Sequence, residues 1–325
     1  MTQATLQVRV AAKTIEATDI CSFELVAIDG QTLPLFGAGA HIDVHIDVAM
    51  GDGLSRSYSL CNDPRATDHY LIAVLRDPAS RGGSVAMHER IKVGDVIRIS
   101  EPKNHFQLAH AAEYSLLLAG GIGVTPLLCM AERLHNTGAS FAMHYCARSQ
   151  DRMAFTQRLA ASPFAAQVQL HFDDGDAAQK LDIAALLAAP KAGTHLYVCG
   201  PSGFLKFVRD TALAQGWPSE CVHFEYFSAE LATTTGDQAF DVKIASTGKV
   251  YRIAADRTVT EALAERGVEV PVSCEQGVCG TCLTRVLEGV PEHRDYFLSP
   301  DEQARNDQFT PCCSRARSGL LVLDL

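Results

Sequence analysis

The chain has 325 residues, 47% of them apolar, and a formal net charge of −10, which is length enough for two or three domains with their own cores. The acidic balance argues against a nucleic-acid partner, and no stretch is long and apolar enough to span a membrane. The opening Met1-Thr-Gln-Ala-Thr-Leu-Gln-Val-Arg-Val10 lacks a charged-then-apolar signal pattern and reads into a strand, so a reducing, cytoplasmic setting is expected for the eleven cysteines.

The first hundred residues alternate apolar and polar in short runs: Leu6–Val10, Ile20–Ala27, His41–Val48, Leu54–Leu60, Tyr70–Val74 and Val96–Ser100. Gly, Pro, Asn and Asp punctuate them, which predicts a small antiparallel barrel. Within it, Arg56-Ser-Tyr58-Ser59 lies on a strand, with Arg56 and Tyr58 on one face and Ser57 and Ser59 on the other. Arg81-Gly82-Gly83-Ser84 precedes a short helix beginning near Val85. Exposed N–H groups at a helix start, with a hydroxyl and a guanidinium, suit an anion. An aromatic surface, hydrogen-bonding groups and a phosphate cradle in this order fit a flavin.

From Tyr114 strands alternate with helices. Strands are expected at Tyr114–Ala119, Phe141–Cys146, Gln167–Phe172, His195–Cys199 and Val222–Phe227, and helices near Pro126–His135, Met153–Ala161, Ile183–Ala188 and Gly203–Gln215. That alternation means an α/β layer with a parallel sheet. Gly120-Gly121-Ile-Gly123-Val-Thr125-Pro126 is a strand-to-helix turn where a dinucleotide pyrophosphate can approach the backbone and a helix N-terminus. It is not the G-x-G-x-x-G fingerprint. Cys199-Gly200-Pro201-Ser-Gly is a second such turn, expected at the same sheet edge. Either loop read alone could be a plain helix cap, and Cys199 a buried small residue.

Residues 229–239 lack apolar periodicity and carry turn formers, so they read as a linker into a compact α+β segment over 240–325. That segment contains Cys274-x4-Cys279-x2-Cys282 and, later, Cys312. This is the plant-type spacing for a [2Fe–2S] cluster. Gly277 and Gly280 allow the sharp turn and close backbone approach that the cluster needs. Cys313, beside Cys312, is a rival for the fourth ligand. A structural zinc site usually shows two short cysteine knuckles, and only Cys279 and Cys282 form one here. A disulfide framework suits small secreted chains instead. A one-electron cluster fed by a two-electron hydride donor also calls for an intermediary that stores two electrons and releases one at a time, which a flavin does.

With these motifs in this order, the chain resembles the ferredoxin–NADP reductase superfamily. More narrowly, it is similar to the phthalate dioxygenase reductase family, which includes vanillate O-demethylase reductases; the similarity covers almost the whole chain. The resemblance implies a flavin barrel over 1–105, an NAD-binding α/β domain over 106–228 and a β-grasp ferredoxin domain over 240–325. It implies FMN, NADH as donor, and a separate Rieske-type oxygenase as recipient. It carries Arg56, Tyr58, Ser59, Arg81, Gly82, Gly83 and Ser84 to FMN. Gly120, Gly121, Gly123, Thr125, Cys199, Gly200 and Pro201 go to the nicotinamide nucleotide, with Ser59 and Thr125 positioning the reacting rings and Cys199 beside them. Phe227 matches an aromatic beside the flavin ring, and Asp174, in Asp173-Asp174-Gly175, is expected to disfavour a 2′-phosphate. Rival readings are the same build serving a ferredoxin, an electron carrier without nucleotide turnover, and a zinc-stabilised binding protein.

Overall fold

The computed structural model describes residues 5–46, 54–77, 82–227, 237–272, 275, 277 and 280–325. They fall into two compact units, Met1–Phe227 and Ser228–Leu325.

The first unit opens with six antiparallel strands: β1 (Thr5–Ala17), β2 (Ile20–Ala27), β3 (His41–Ile46), β4 (Leu54–Ser59), β5 (His69–Leu75) and β6 (Val96–Ser100). Their order is β4-β3-β6-β1-β2-β5, and a bridge between Leu60 and Ile72 closes the two edges into a barrel. Alternate residues such as Val8, Phe23, Leu25, Ile42, Val44 and Ile99 are wholly buried inside it. Helix α1 (Gly83–Glu89) sits after β5. Lys13 on β1 closes its C-terminus, with Nζ donating to the carbonyls of His88 at 2.6 Å and Ile91 at 2.9 Å; a cation there satisfies carbonyls the helix leaves without partners.

The chain then alternates β7 (Tyr114–Gly120), α2 (Val124–Asn136), β8 (Ser140–Ala147), α3 (Thr156–Ala161), β9 (Val168–Phe172), α4 (Ile183–Leu187), β10 (Thr194–Gly200), α5 (Ser202–Ala214) and β11 (Val222–Tyr226). All pairings are parallel, in the order β11-β10-β7-β8-β9. The chain moves outward from β7 to β9, then returns to the other side of β7, so the order reverses between β7 and β10. Ligands bind at the carboxyl ends of strands flanking such a reversal. Helix α3 starts later than its sequence pattern suggests because Phe155 takes a left-handed conformation, φ 62°, just before it. The barrel and this sheet form one unit because Ile20, Ala38, Cys61, Ala73 and Phe106 share a core with Leu117, Leu127, Met130, Tyr145 and Tyr197.

In the second unit β12 (Phe240–Ile244), β13 (Val250–Ile253), α6 (Val259–Ala264), β14 (Thr284–Glu288), β15 (Pro291–Glu292), α7 (Pro300–Arg305), β16 (Gln308–Phe309), β17 (Arg315–Ala316) and β18 (Leu320–Leu323) follow in turn. The sheet order is β13-β12-β18-β14-β16, and β15 pairs separately with β17. Its first and last strands, β12 and β18, run parallel side by side. Helix α6 lays Val259, Ala262 and Leu263 on a core that includes Val242, Ile253, Leu321 and Leu323; this is a β-grasp. Thr258 with Glu261, and Ser299 with Glu302, form capping boxes at the starts of α6 and α7. Of the stretch expected as a linker, 229–236 lies outside the described residues. Asp237 is tied down, its Oδ2 accepting from Arg294 Nη1 at 2.9 Å. Among the described residues no helix is long and apolar enough to cross a membrane.

Candidate functional site

Strand β4 pairs with β3 so that Arg56 lies opposite Val44, Ser57 opposite Asp43, Tyr58 opposite Ile42 and Ser59 opposite His41. The period of two therefore sends Arg56 and Tyr58 to one side and the serines to the other. Ser57 is absorbed by the barrel: its Oγ donates to Asp43 Oδ1 at 2.6 Å, and Lys103 Nζ holds the other carboxylate oxygen at 2.7 Å. Tyr58 packs against the barrel core, and burial pushes its phenol well up. Arg56 lies along Gly83, where a Cβ would meet Arg56 Cγ at 2.7 Å and Nε at 2.8 Å. Gly82, at φ 85°, precedes α1 in the left-handed region. Ser84 follows, its Oγ accepting from the Asp77 N–H at 3.2 Å. A guanidinium laid over a glycine turn is a donor set that suits a phosphate. Arg81 lies outside the described residues.

At the sheet reversal the turns after β7 and β10 interlock. A Cβ on Gly123 would overlap the Cys199 carbonyl, and one on Gly200 would lie 3.0 Å from Gly120 Cα. Gly121 has φ 55°. The two glycine turns leave bare backbone where two strands end and helices α2 and α5 begin, a cradle that side chains would fill and that fits a pyrophosphate. Thr125 is 1% exposed and its hydroxyl donates back to the Ile122 carbonyl at 3.1 Å, bracing the turn. Pro201 precedes α5. Phe204, in the first turn of α5, would touch a Cβ on either Gly120 or Gly200 at 3.0 Å, so its ring floors both turns. Sequence reasoning missed it; the signal was an aromatic three residues past Cys-Gly-Pro.

Cys199 is wholly buried and sits opposite Glu225 in the β10–β11 pairing. Burial first, then the Glu225 carboxylate, push its thiol far up, so it stays protonated. Glu225 is pushed up to about 8 by burial, against a hydrogen bond from Ser59 that acts to lower it. That bond joins the end of β4 to β11, Ser59 Oγ donating to Glu225 Oε2 at 3.3 Å. Ser59 thus meets Glu225, and Glu225 lies opposite Cys199, the residue before Gly200. Glu225 is the second residue that sequence reasoning left out, although an acid alternating with apolar neighbours on a strand was the clue. Phe227 follows β11 and is 37% exposed. Asp174 is the second residue of the loop after β9, its N–H donating to the Arg148 carbonyl at 3.1 Å. It stands at the same carboxyl edge, two strands from β7.

In the second unit Cys274 and Cys279 lie outside the described residues. Cys282 and Cys312 are buried, 3% and 2% exposed, and cluster with Cys313. The neighbouring Cys282 and Cys313 thiols, then burial, push the Cys312 proton affinity up. Thiols so crowded cannot all ionise without cationic charge between them, which is what two irons supply. Cys313, beside the Cys312 thiol, also meets hydroxyls: its Sγ is 3.2 Å from Thr310 Oγ1 and 3.8 Å from Ser314 Oγ. Gly277 and Gly280 have φ 71° and 70°. A Cβ on Gly277 would overlap Cys313 Sγ, and one on Gly280 would overlap the Phe297 ring. Both glycines therefore hold the left-handed backbone that a tight turn in this segment calls for.

Two family models match: the 2Fe-2S iron-sulfur cluster binding domain over residues 242–317 and the oxidoreductase NAD-binding domain over 117–210. The chain is 55% identical to a vanillate O-demethylase oxidoreductase of Pseudomonas sp. strain HR199, covering 98% of this chain and 100% of that protein. A solved phthalate dioxygenase reductase, described as a modular structure for electron transfer from pyridine nucleotides to [2Fe-2S], superposes with a TM-score of 0.78 at 39% identity, over 99% of this chain and 98% of that one. An intact type IV self-sufficient cytochrome P450 monooxygenase matches with a TM-score of 0.82 at 36% identity, over 99% of this chain and 41% of that one.

Proposed function

The chain belongs to the family of vanillate O-demethylase oxidoreductases and phthalate dioxygenase reductases, and from that we propose that it draws electrons from NADH and passes them, through FMN and a [2Fe–2S] cluster, to a separate Rieske-type oxygenase. The observation that carries this reading is the presence, in one chain, of interlocked glycine turns at a sheet reversal and a plant-type cysteine loop. An intact type IV self-sufficient cytochrome P450 monooxygenase contains a region of this build, so the acceptor is the part a test must separate.

When bound, FMN supplies the capacity to take a hydride and give electrons up singly. The chain's own residues do the rest. Arg56 and the Gly82–Gly83 turn, with Arg81 and Ser84, hold the FMN phosphate, and Tyr58 supplies apolar surface. Phe227, partly exposed past β11, would offer an aromatic face to the flavin. Gly120, Gly121, Gly123, Gly200 and Pro201 seat the NADH pyrophosphate over Phe204, with Thr125 bracing the turn. Asp174 offers a carboxylate to a ribose hydroxyl and repels a 2′-phosphate. Ser59 and Glu225 hold a proton at the Ser59 Oγ–Glu225 Oε2 contact, and Cys199 keeps that wall dry. Cys274, Cys279, Cys282 and Cys312 ligate the cluster. Catalysis is thus chiefly positioning. The cytoplasmic setting is part of this proposal, and the free thiols of the described cysteines support it.

The test is an anaerobic visible spectrum of the purified protein before and after NADH, with the released flavin identified. Flavin and iron–sulfur absorbance, both bleached by NADH, with the flavin running as FMN, is the expected result. A colourless protein would sink the reading. Assays with a Rieske-type oxygenase, a ferredoxin and a P450 then separate the acceptors.

A further inference from the structure

On the sheet face away from α2, His144 of β8 and His171 of β9 sit diagonally across the pair: His144 lies opposite Gln169, and Cys146 opposite His171. His144 Nδ1 is 3.0 Å from His171 Nε2, and His171 Nδ1 is 3.1 Å from the Gln179 carbonyl oxygen. The chemistry of these atoms fixes the protons. A carbonyl only accepts, so His171 carries its proton on Nδ1 and its Nε2 accepts; His144 must then donate from Nδ1. Burial lowers the proton affinity of both rings, that of His144 to about 4, so the neutral, directional chain persists at physiological pH.

This chain ends on the far side of the loop that carries Asp174. The near side is pinned to β8, where the Asp173 N–H donates to the Ala147 carbonyl at 3.0 Å and the Asp174 N–H to that of Arg148 at 3.1 Å. Within the loop, Gln179 N–H donates to the Asp176 carbonyl at 2.8 Å. A Cβ on Gly175 would lie 3.1 Å from Gln179 Cβ, so displacement of Gln179 is felt next to Asp174.

We propose that His144 and His171 are positioning residues for the nucleotide, a two-imidazole brace that holds the 173–179 loop so that Asp174 meets the adenosine ribose and selects NADH over NADPH. The proposal rests on the reading of Asp174 given above. The holoenzyme is compared with His171→Phe, His171→Asn and Asp174→Ser, using NADH and NADPH with ferricyanide as acceptor. His171→Phe is expected to raise KM for NADH about three- to tenfold with kcat at saturation unchanged, and to lower the NADH:NADPH selectivity. His171→Asn, whose amide N–H can take the place of Nδ1–H, is expected to recover most of the loss. Nitrogen-15 NMR of the histidine rings should find both His144 and His171 as Nδ1–H tautomers. Unchanged KM and selectivity in His171→Phe, while Asp174→Ser loses selectivity, would overturn the brace alone. No effect of Asp174→Ser would overturn both it and the reading beneath it. Should His171→Phe fail to fold, an Nε2–H tautomer at either ring, or a His171→Asn protein with full loss of affinity, overturns the proposal.

Discussion

Glycines shape both cofactor regions, but they press against different things. At the sheet reversal of the first unit, Gly123 abuts the Cys199 carbonyl, and Gly200 abuts Gly120 Cα with the Phe204 ring equally near: backbone chiefly meets backbone. Around the cysteine loop the nearest atoms to an added Cβ are side chains, the Cys313 sulfur for Gly277, with the Asp295 Cα next at 3.0 Å, and the Phe297 ring for Gly280: backbone chiefly meets side chain. The difference has a physical consequence. Two turns locked through their main chains cannot yield without moving β7 and β10, which anchor the whole parallel sheet. A loop walled by side chains can yield by rotating a thiol or a ring, but it is answerable to a metal cluster whose ligand count cannot be negotiated.

The largest effect expected is therefore in the second region, and it is chemical. On the proposed assignment Cys312→Ser removes a ligand and should abolish cluster absorbance and cytochrome c reduction, while NADH oxidation with ferricyanide, drawn from the flavin, persists. Cys313→Ser should keep the cluster, because that sulfur is engaged by Thr310 and Ser314 hydroxyls. Iron content and the visible spectrum of the two variants decide the matter. The reverse pattern would reassign the fourth ligand.

The next contrast is mechanical. Gly123→Ala forces a methyl into the Cys199 carbonyl and should cost about 3 kcal/mol, the upper part of the range for overpacking, together with most of the affinity for NADH. Gly277→Ala meets first a movable sulfur, then the Asp295 Cα at 3.0 Å, and a positive φ, and should cost about 1–2 kcal/mol, with the nucleotide affinity intact. Denaturant unfolding followed by NADH titration measures both. Equal costs at the two sites would remove the distinction drawn between the two kinds of contact.

What the sequence made legible follows the same division. The barrel strands could be read because burial on one face leaves a period of two, as in Val96–Ser100, which is β6 to the residue. The cysteine loop and the glycine turns could be read because each function lives in one short segment. The Ser59–Glu225 contact spans 166 positions, and the opposition of Glu225 and Cys199 exists only once β10 and β11 are in register. The same holds for His144 and His171, which meet only through the β8–β9 pairing. Phe204 was hidden differently: a half-buried aromatic on α5 looks like ordinary core until the two glycine turns are seen closing on it.

Glu225 offers the smallest and most discriminating effect, because it tests the backbone-locked region without disturbing its backbone. Its carboxyl is raised from the usual carboxylate range to about 8, by burial. The sign follows directly: below that pH the group is neutral and can donate to Ser59 Oγ, leaving the serine proton free for an acceptor in the cofactor cleft. Above it the carboxylate draws the serine proton to itself. NADH oxidation with ferricyanide should therefore fall above an inflection near 8, by about tenfold per pH unit if only the neutral form is competent. Glu225→Gln keeps the shape and a permanent donor, so its activity at pH 7 should lie within about twofold of the parent, and its profile should stay flat through pH 9. Ser59→Ala should lower activity at every pH and also lose the inflection, since the proton being governed is its own. A parent profile with no inflection, or a glutamine variant that retains one, would place proton control elsewhere in the cleft and leave Glu225 as a buried acid bound to Ser59 for structural reasons alone.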